Sequence, residues 1–115
     1  MDSKLEISLL YDFYAELIPA SQQRVVELYV NDDLSLSEVA EILGISRQGV
    51  RDSLARAMTK LRGYEARLGL RAAYERRRRC ASAIADEVRA IMTQTQNEEI
   101  IRHCTEILHY TERED

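Results

Sequence analysis

Arg47, Gln48 and Arg51 follow Ser46 at spacings that put their side chains on one side of the first turns of a helix. Guanidinium and amide groups so placed do not make or break bonds. They donate hydrogen bonds, in pairs, to phosphate oxygens and to the edges of bases, arginine to guanine and glutamine to adenine. Asp52, Ala55 and Arg56 extend the same outer face, and Ser46 is the residue type that caps a helix start. These seven positions form a candidate nucleic-acid-binding surface.

The elements needed to hold that surface are legible just upstream. Ser35 and Glu38 have the S-x-x-E spacing of a capping box, so a helix is expected from Leu36. Val39, Ile42 and Leu43 then share a face, and Gly44 supplies a residue able to end the helix in the left-handed conformation. Ile45 is expected to plug the corner. Val50 and Leu54 of the second helix should look back at Val39 and Ala40, the small side chain allowing a close crossing. This order of parts is that of a helix-turn-helix, in which the start of the second helix enters a major groove. A helical hairpin with a merely solvated polar side would carry the same outer residues, so the motif is a firmer reading than its function.

Composition bounds the alternatives. With 115 residues, 45% of them hydrophobic, the chain suits one domain or a compact domain with a helical arm. No apolar run reaches membrane-spanning length, and Asp2–Glu6 leads straight into an amphipathic pattern, so no membrane insertion and a cytoplasmic location are expected. Cys80 and Cys104 stand apart, with no C-x-x-C and no histidine pair at zinc spacing. They read as small core side chains in a reducing compartment, without metal or cofactor. Net charge is −4, but it is unevenly spread. Residues 2–33 carry two basic against seven acidic side chains, whereas 46–62 carry five basic against Asp52 alone. The second motif helix is therefore a basic stripe on an acidic protein, suited to salt-sensitive phosphate contact of modest affinity.

Four glycines, one proline and the lack of sustained alternation indicate an all-α fold. A first helix is expected from Lys4 to Leu17, with Leu5, Leu9, Phe13 and Leu17 as the centre of an apolar stripe that Leu10 and Tyr14 widen. Pro19 ends it. Ser21 is expected to cap a second helix through Val30 that buries Val25, Leu28 and Tyr29, before a turn at Asn31–Asp33. The helix from Ser46 should run to Leu68, turning Leu54, Met58, Leu61, Tyr64 and Leu68 inward. Gly69 marks the boundary between a core, 1–68, and a C-terminal helical extension, 69–115, packing on the core or on a dimer partner. In that extension Tyr74, Ala81, Ile84, Val88 and Ile91 have the spacing of a coiled-coil seam over Ala72–Met92. Asn97 should cap a last helix whose apolar face holds Ile100, Ile101, Cys104, Ile107 and Leu108, with fraying from Glu112 to Asp115. Arg76, Arg77, Arg78 and Arg79 spread around a full turn. They are either a solvated face paired with Glu75 and other acids or a secondary basic contact.

Ser46, Arg47, Val50, Arg51, Leu54, Arg56, Ala57, Lys60, Leu61 and Arg62 together resemble the recognition-helix pattern of region 4 of bacterial sigma factors. Leu10-Tyr11-Asp12-Phe13-Tyr14, Asp32-Asp33, Ile45-Ser46-Arg47-Gln48 and Tyr64-Glu65 narrow the resemblance to the YlxM family of small bacterial proteins associated with the signal recognition particle. It covers residues 5 to 68, with Pro19 and Gly49 in place of the more usual threonine and alanine. It implies a sigma-region-4-like helical fold and a regulatory role in that pathway, touching the particle's RNA or its GTPase. A dimeric DNA-binding transcription regulator is the alternative. An enzyme is not expected. His103 and His109 of the last helix are the only histidines, and no Gly-rich phosphate loop or carboxylate-histidine metal spacing is present.

Overall fold

A computed structural model describes residues 4–112. Six helices follow one another: α1 Lys4–Tyr14, α2 Ala20–Val26, α3 Leu36–Leu43, α4 Arg47–Leu68, α5 Leu70–Thr93 and α6 Glu98–Thr111. A 3₁₀ turn, Ala15–Leu17, extends α1, and a π turn, Glu27–Asn31, extends α2. The described residues contain no strand. The chain divides into two compact units, Met1–Arg71 and Ala72–Asp115.

In the first unit α1, α2 and α3 all pack on α4. Val39, Ala40, Val50, Leu54, Ala57, Met58 and Leu61 belong to one buried cluster, joined by Val25, Val26 and Leu28. The buried side of α1 differs from the expected stripe. Ile7, Leu10, Tyr11 and Tyr14 face inward at i, i+3, i+4 and i+7, while Leu5 and Leu17 are exposed and Leu9 and Phe13 are half-buried. The tyrosines can be buried because their hydroxyls find acceptors, Tyr11 on Glu27 at 2.5 Å and Tyr14 on Glu65 at 2.6 Å. Leu17 falls in the 3₁₀ turn, where three residues per turn rotate it off the helical stripe.

The start of α2 is also corrected. Pro19, not Ser21, is the cap: its carbonyl accepts from the amides of Gln22 and Gln23 at 2.9 and 3.0 Å, so the helix opens at Ala20. The proline fixes its own φ and holds Ile18 extended. Gln23 donates from its side chain to the carbonyls of Ala15 and Ile18, tying the 3₁₀ turn to α2. At the far end, the Asp32 amide reaches back to the Glu27 carbonyl, the wide closure of a π turn. Tyr29 is half-buried there.

α4 ends at Gly69, whose φ of 60° is left-handed, and α5 begins at the next residue. Leu68 is exposed rather than inward, since the helix stops before a neighbour covers it. In the second unit the buried residues are Ala85, Val88 and Cys104. The expected seam is thus displaced: Val88 is buried, Tyr74 and Ala81 are half-buried, and Ile84 and Ile91 are exposed while Ala85 takes the inner place. On α6, Ile101 and Leu108 are half-buried, and Ile100 and Ile107 face water. Asn97 caps α6 as expected, accepting from the Glu99 and Ile100 amides. The fraying expected beyond Glu112 lies outside the described residues.

Candidate nucleic-acid interface

Two caps set the geometry of the interface. The Ser35 hydroxyl accepts from the Glu38 amide at 3.1 Å and the Glu38 carboxylate accepts from the Ser35 amide at 2.9 Å, a complete capping box. That bond to the Ser35 amide, helped by the Ser35 side chain, holds the Glu38 carboxyl below its usual range. α3 then ends at Gly44 with φ 67°, and the Ile45 amide bonds back to the Ala40 carbonyl at 3.1 Å. Ser46 adopts extended backbone and accepts from the Gly49 amide at 2.9 Å, opening α4. A Cβ at Gly49 would stand 3.2 Å from this Ser46 Oγ, so a larger residue would press on the cap.

The corner is more open than the sequence suggests. Ile45 and Ile42 are both exposed, and the inward residues of α3 are Val39 and Ala40, with Leu43 half-buried. An eight-residue helix against one long neighbour has room to bury only a narrow strip, which the two adjacent positions fill.

Ser46, Arg47, Gln48, Arg51, Asp52, Ala55 and Arg56 are all exposed. They lie on the first three turns of α4, opposite Val50, Leu54, Ala57 and Met58. Among the described residues Arg47, Arg51 and Arg56 have no ion-pair partner, whereas Arg62, further along the helix, is held by Glu6 at 2.7 Å. Of these, Arg47 lies in the first turn of α4, where the helix also presents its amino-terminal dipole, and both favour an anion. Gln48 is less available: its side-chain amide donates to Asp52 at 2.9 Å, which also places a carboxylate within the basic stripe. Arg51 and Ala55 border a mostly apolar groove completed by Ile7, Tyr29, Leu36, Leu54 and Met58. Sequence spacing gave no sign of that groove, because Ile7 and Tyr29 come from α1 and the π turn.

Arg76, Arg77, Arg78 and Arg79 are exposed on α5, and none has an ion-pair partner among the described residues. The expected pairing with Glu75 is absent there; instead the Arg78 guanidinium lies 5.8 Å from the centre of the Tyr74 ring. Cys104 is buried as expected, but Cys80 is exposed, because the α5 side that carries it is uncovered. Among the described residues no three His, Cys, Asp or Glu side chains converge as metal ligands, and no helix is long and apolar enough to cross a membrane. His103 and His109 are exposed on α6.

Residues 1–111 match the family model described as "Putative helix-turn-helix protein, YlxM / p13 like" and designated UPF0122. A UPF0122 protein of Caldanaerobacter subterraneus subsp. tengcongensis is 51% identical over 69 residues, 60% of this chain and 59% of that protein. A UPF0122 protein of Geobacillus kaustophilus is 39% identical over 88 residues, covering 76% and 80% of the two chains. One of Halalkalibacterium halodurans is 35% identical over 101 residues, covering 88% and 90%.

Proposed function

The chain belongs to the UPF0122 family of YlxM/p13-like helix-turn-helix proteins, and from that premise we propose that it is a cytoplasmic accessory of the signal recognition particle pathway that binds the particle's RNA through the start of α4. The observation that carries this reading is the set of exposed, unpaired guanidinium groups at Arg47, Arg51 and Arg56, on a helix start made rigid by the Ser46 cap. Ser46, Gln48, Asp52 and Ala55 complete the contact, and the Arg76–Arg79 run serves as a secondary basic contact. Basic surface limited to the outer face of α4 and one turn of α5, on a protein of net charge −4, fits a selective ligand better than indiscriminate coating of nucleic acid. The protein acts by binding alone, without a cofactor and without catalysis.

A second reading has its own support. The uncovered isoleucines of α5 and α6 favour a homodimer, and a dimeric regulator of duplex DNA would set two α4 starts about 34 Å apart. Titrating the full chain against signal-recognition-particle RNA, a duplex DNA pool and the purified particle GTPase, each over a range of salt, separates the readings. Tight, salt-sensitive binding to the RNA supports the first, and preference for duplex DNA replaces it with the second. Binding to the GTPase alone moves the contact away from nucleic acid.

A further inference from the structure

Among its described residues the second unit buries Ala85, Val88 and Cys104 and leaves four isoleucines exposed. Ile84 and Ile91 of α5 are 44% and 48% exposed, and Ile100 and Ile107 of α6 are 43% and 41% exposed. Each pair is seven residues apart and so forms a line along its helix. Arg89 bonds to Glu112, which shows that α6 folds back along α5 after the turn at Gln94–Asn97. At about 100° per residue, Ile84 and Ile91 precede the inner line through Val88 by roughly 40–60°. Ile100 and Ile107 precede Cys104 by a similar angle. Two helices running in opposite directions turn equal offsets to the same side of the pair, so the four isoleucines share one face.

We propose that this face is the pairing surface of two copies of the chain, hairpin against hairpin and antiparallel. This deepens the homodimer named above and rests on α5 and α6 alone. A two-fold interface requires a self-complementary patch, which two isoleucine lines on one face provide. Charge selects the direction. Arg76 and Arg77 flank the isoleucine side at the entry of the second unit, whereas Glu99 flanks it beside the turn. Antiparallel pairing brings the arginines of one copy towards Glu99 of the other; parallel pairing would set the two arginine runs side by side. Arg78, Arg79 and Glu98 turn away from this face. A lone two-helix hairpin with so few buried residues is under-packed, and a second copy converts it into a four-helix bundle.

Sedimentation of the full chain at micromolar concentration is expected to show a dimer. Ile84→Asp with Ile107→Asp should weaken association on the order of a hundredfold, because each change is counted twice across the two-fold axis. Helical circular dichroism should persist, since both side chains face water in the single chain. Arg76→Glu with Arg77→Glu, and separately Glu99→Arg, should each weaken pairing, and mixing the two variants should recover it. A parent that stays monomeric overturns the proposal, as does a dimer indifferent to the isoleucine changes. A monomer that associates only with the added particle GTPase gives the face to that protein instead. Failure of the mixed charge variants to recover overturns the antiparallel direction. A dimer that binds no nucleic acid leaves this inference standing and removes the functional reading, while a monomer that binds RNA does the reverse.

Discussion

The Tyr14 hydroxyl donates to the Glu65 carboxylate at 2.6 Å, joining the end of α1 to the last turns of α4 across 51 residues of chain. The same hydroxyl accepts from the Leu70 amide at 3.0 Å, and the same carboxylate oxygen accepts from the Arg71 amide at 3.0 Å. α5 therefore has a start with no side-chain cap of its own. Two of its orphan amides are satisfied by residues from elsewhere in the first unit.

Tyr14→Phe should consequently do more than remove one contact. It takes a donor from Glu65 and an acceptor from Leu70 at a fully buried ring, and the loss should be about 1–3 kcal/mol. Urea unfolding measures the change, and amide exchange locates it, with faster exchange expected at Leu70. Unchanged protection there would show that the junction is held by other means.

Alkaline pH tests the same buried phenols. Burial, then the bond to Glu27, raises the Tyr11 pKa far above the ordinary tyrosine range; burial, then the bond to Glu65, raises that of Tyr14. The folded chain thus keeps these protons to higher pH than the unfolded chain. The stabilisation is complete below the ordinary tyrosine value near 10 and declines as pH rises towards the raised values. Tyrosinate absorbance should show Tyr11 and Tyr14 ionising late, together with loss of helical signal. Ionisation of Tyr11 and Tyr14 near the ordinary value, with the fold intact, would contradict the buried arrangement.

Two glycines predict opposite signs. At Gly44 a Cβ meets nothing within 4 Å, but φ is 67°, so Gly44→Ala should destabilise by about 1 kcal/mol through the backbone alone. Gly63 also has open space around it, yet it lies inside α4. Gly63→Ala should stabilise by about 0.5–1 kcal/mol, the helix-propensity difference. Thermal or urea unfolding of the two variants checks both, and equal effects would mean that backbone conformation does not govern them.

What the sequence disclosed was local. Ser35 with Glu38, Gly44, Ser46 and Asn97 all act within four residues, and each stands where its spacing placed it. On α1 the sequence places Leu10, Tyr11 and Tyr14 in the core, as found, but aliphatic periodicity centres the stripe on Leu5 and Leu17, which are exposed; the two tyrosines are buried with acceptors 16 and 51 residues away. The π turn has no signature in residue type, and with it went the groove beside Arg51. In the second unit the isoleucines define real helical lines, but periodicity alone cannot tell which of two adjacent lines meets the neighbouring helix. Ala85 and Val88 take that place, leaving Ile84 and Ile91 outside. The outer face of α4 was readable because a solvated face needs no partner within the chain. Exposure alone names no ligand for it.

Charge removal at Arg47 and Arg51 examines that outer face directly. Both side chains are exposed and unpaired among the described residues, so Arg47→Ala with Arg51→Ala should alter stability by no more than about 0.5 kcal/mol. Any larger loss would come from the Arg51 stem, which borders the apolar groove. Binding should respond differently. Each phosphate contact releases condensed counterions, so losing two should lower the slope of log affinity against log salt by about 1.4 for single-stranded and about 1.8 for duplex nucleic acid. The affinity should fall most at low salt and the two proteins should converge as salt rises. Glu6 already occupies Arg62 at 2.7 Å, so Arg62→Ala should change the slope less than either outer arginine does. An unaltered slope for the double variant, with RNA binding retained, would remove the start of α4 from the interface and leave Arg76–Arg79 as the basic surface to test next.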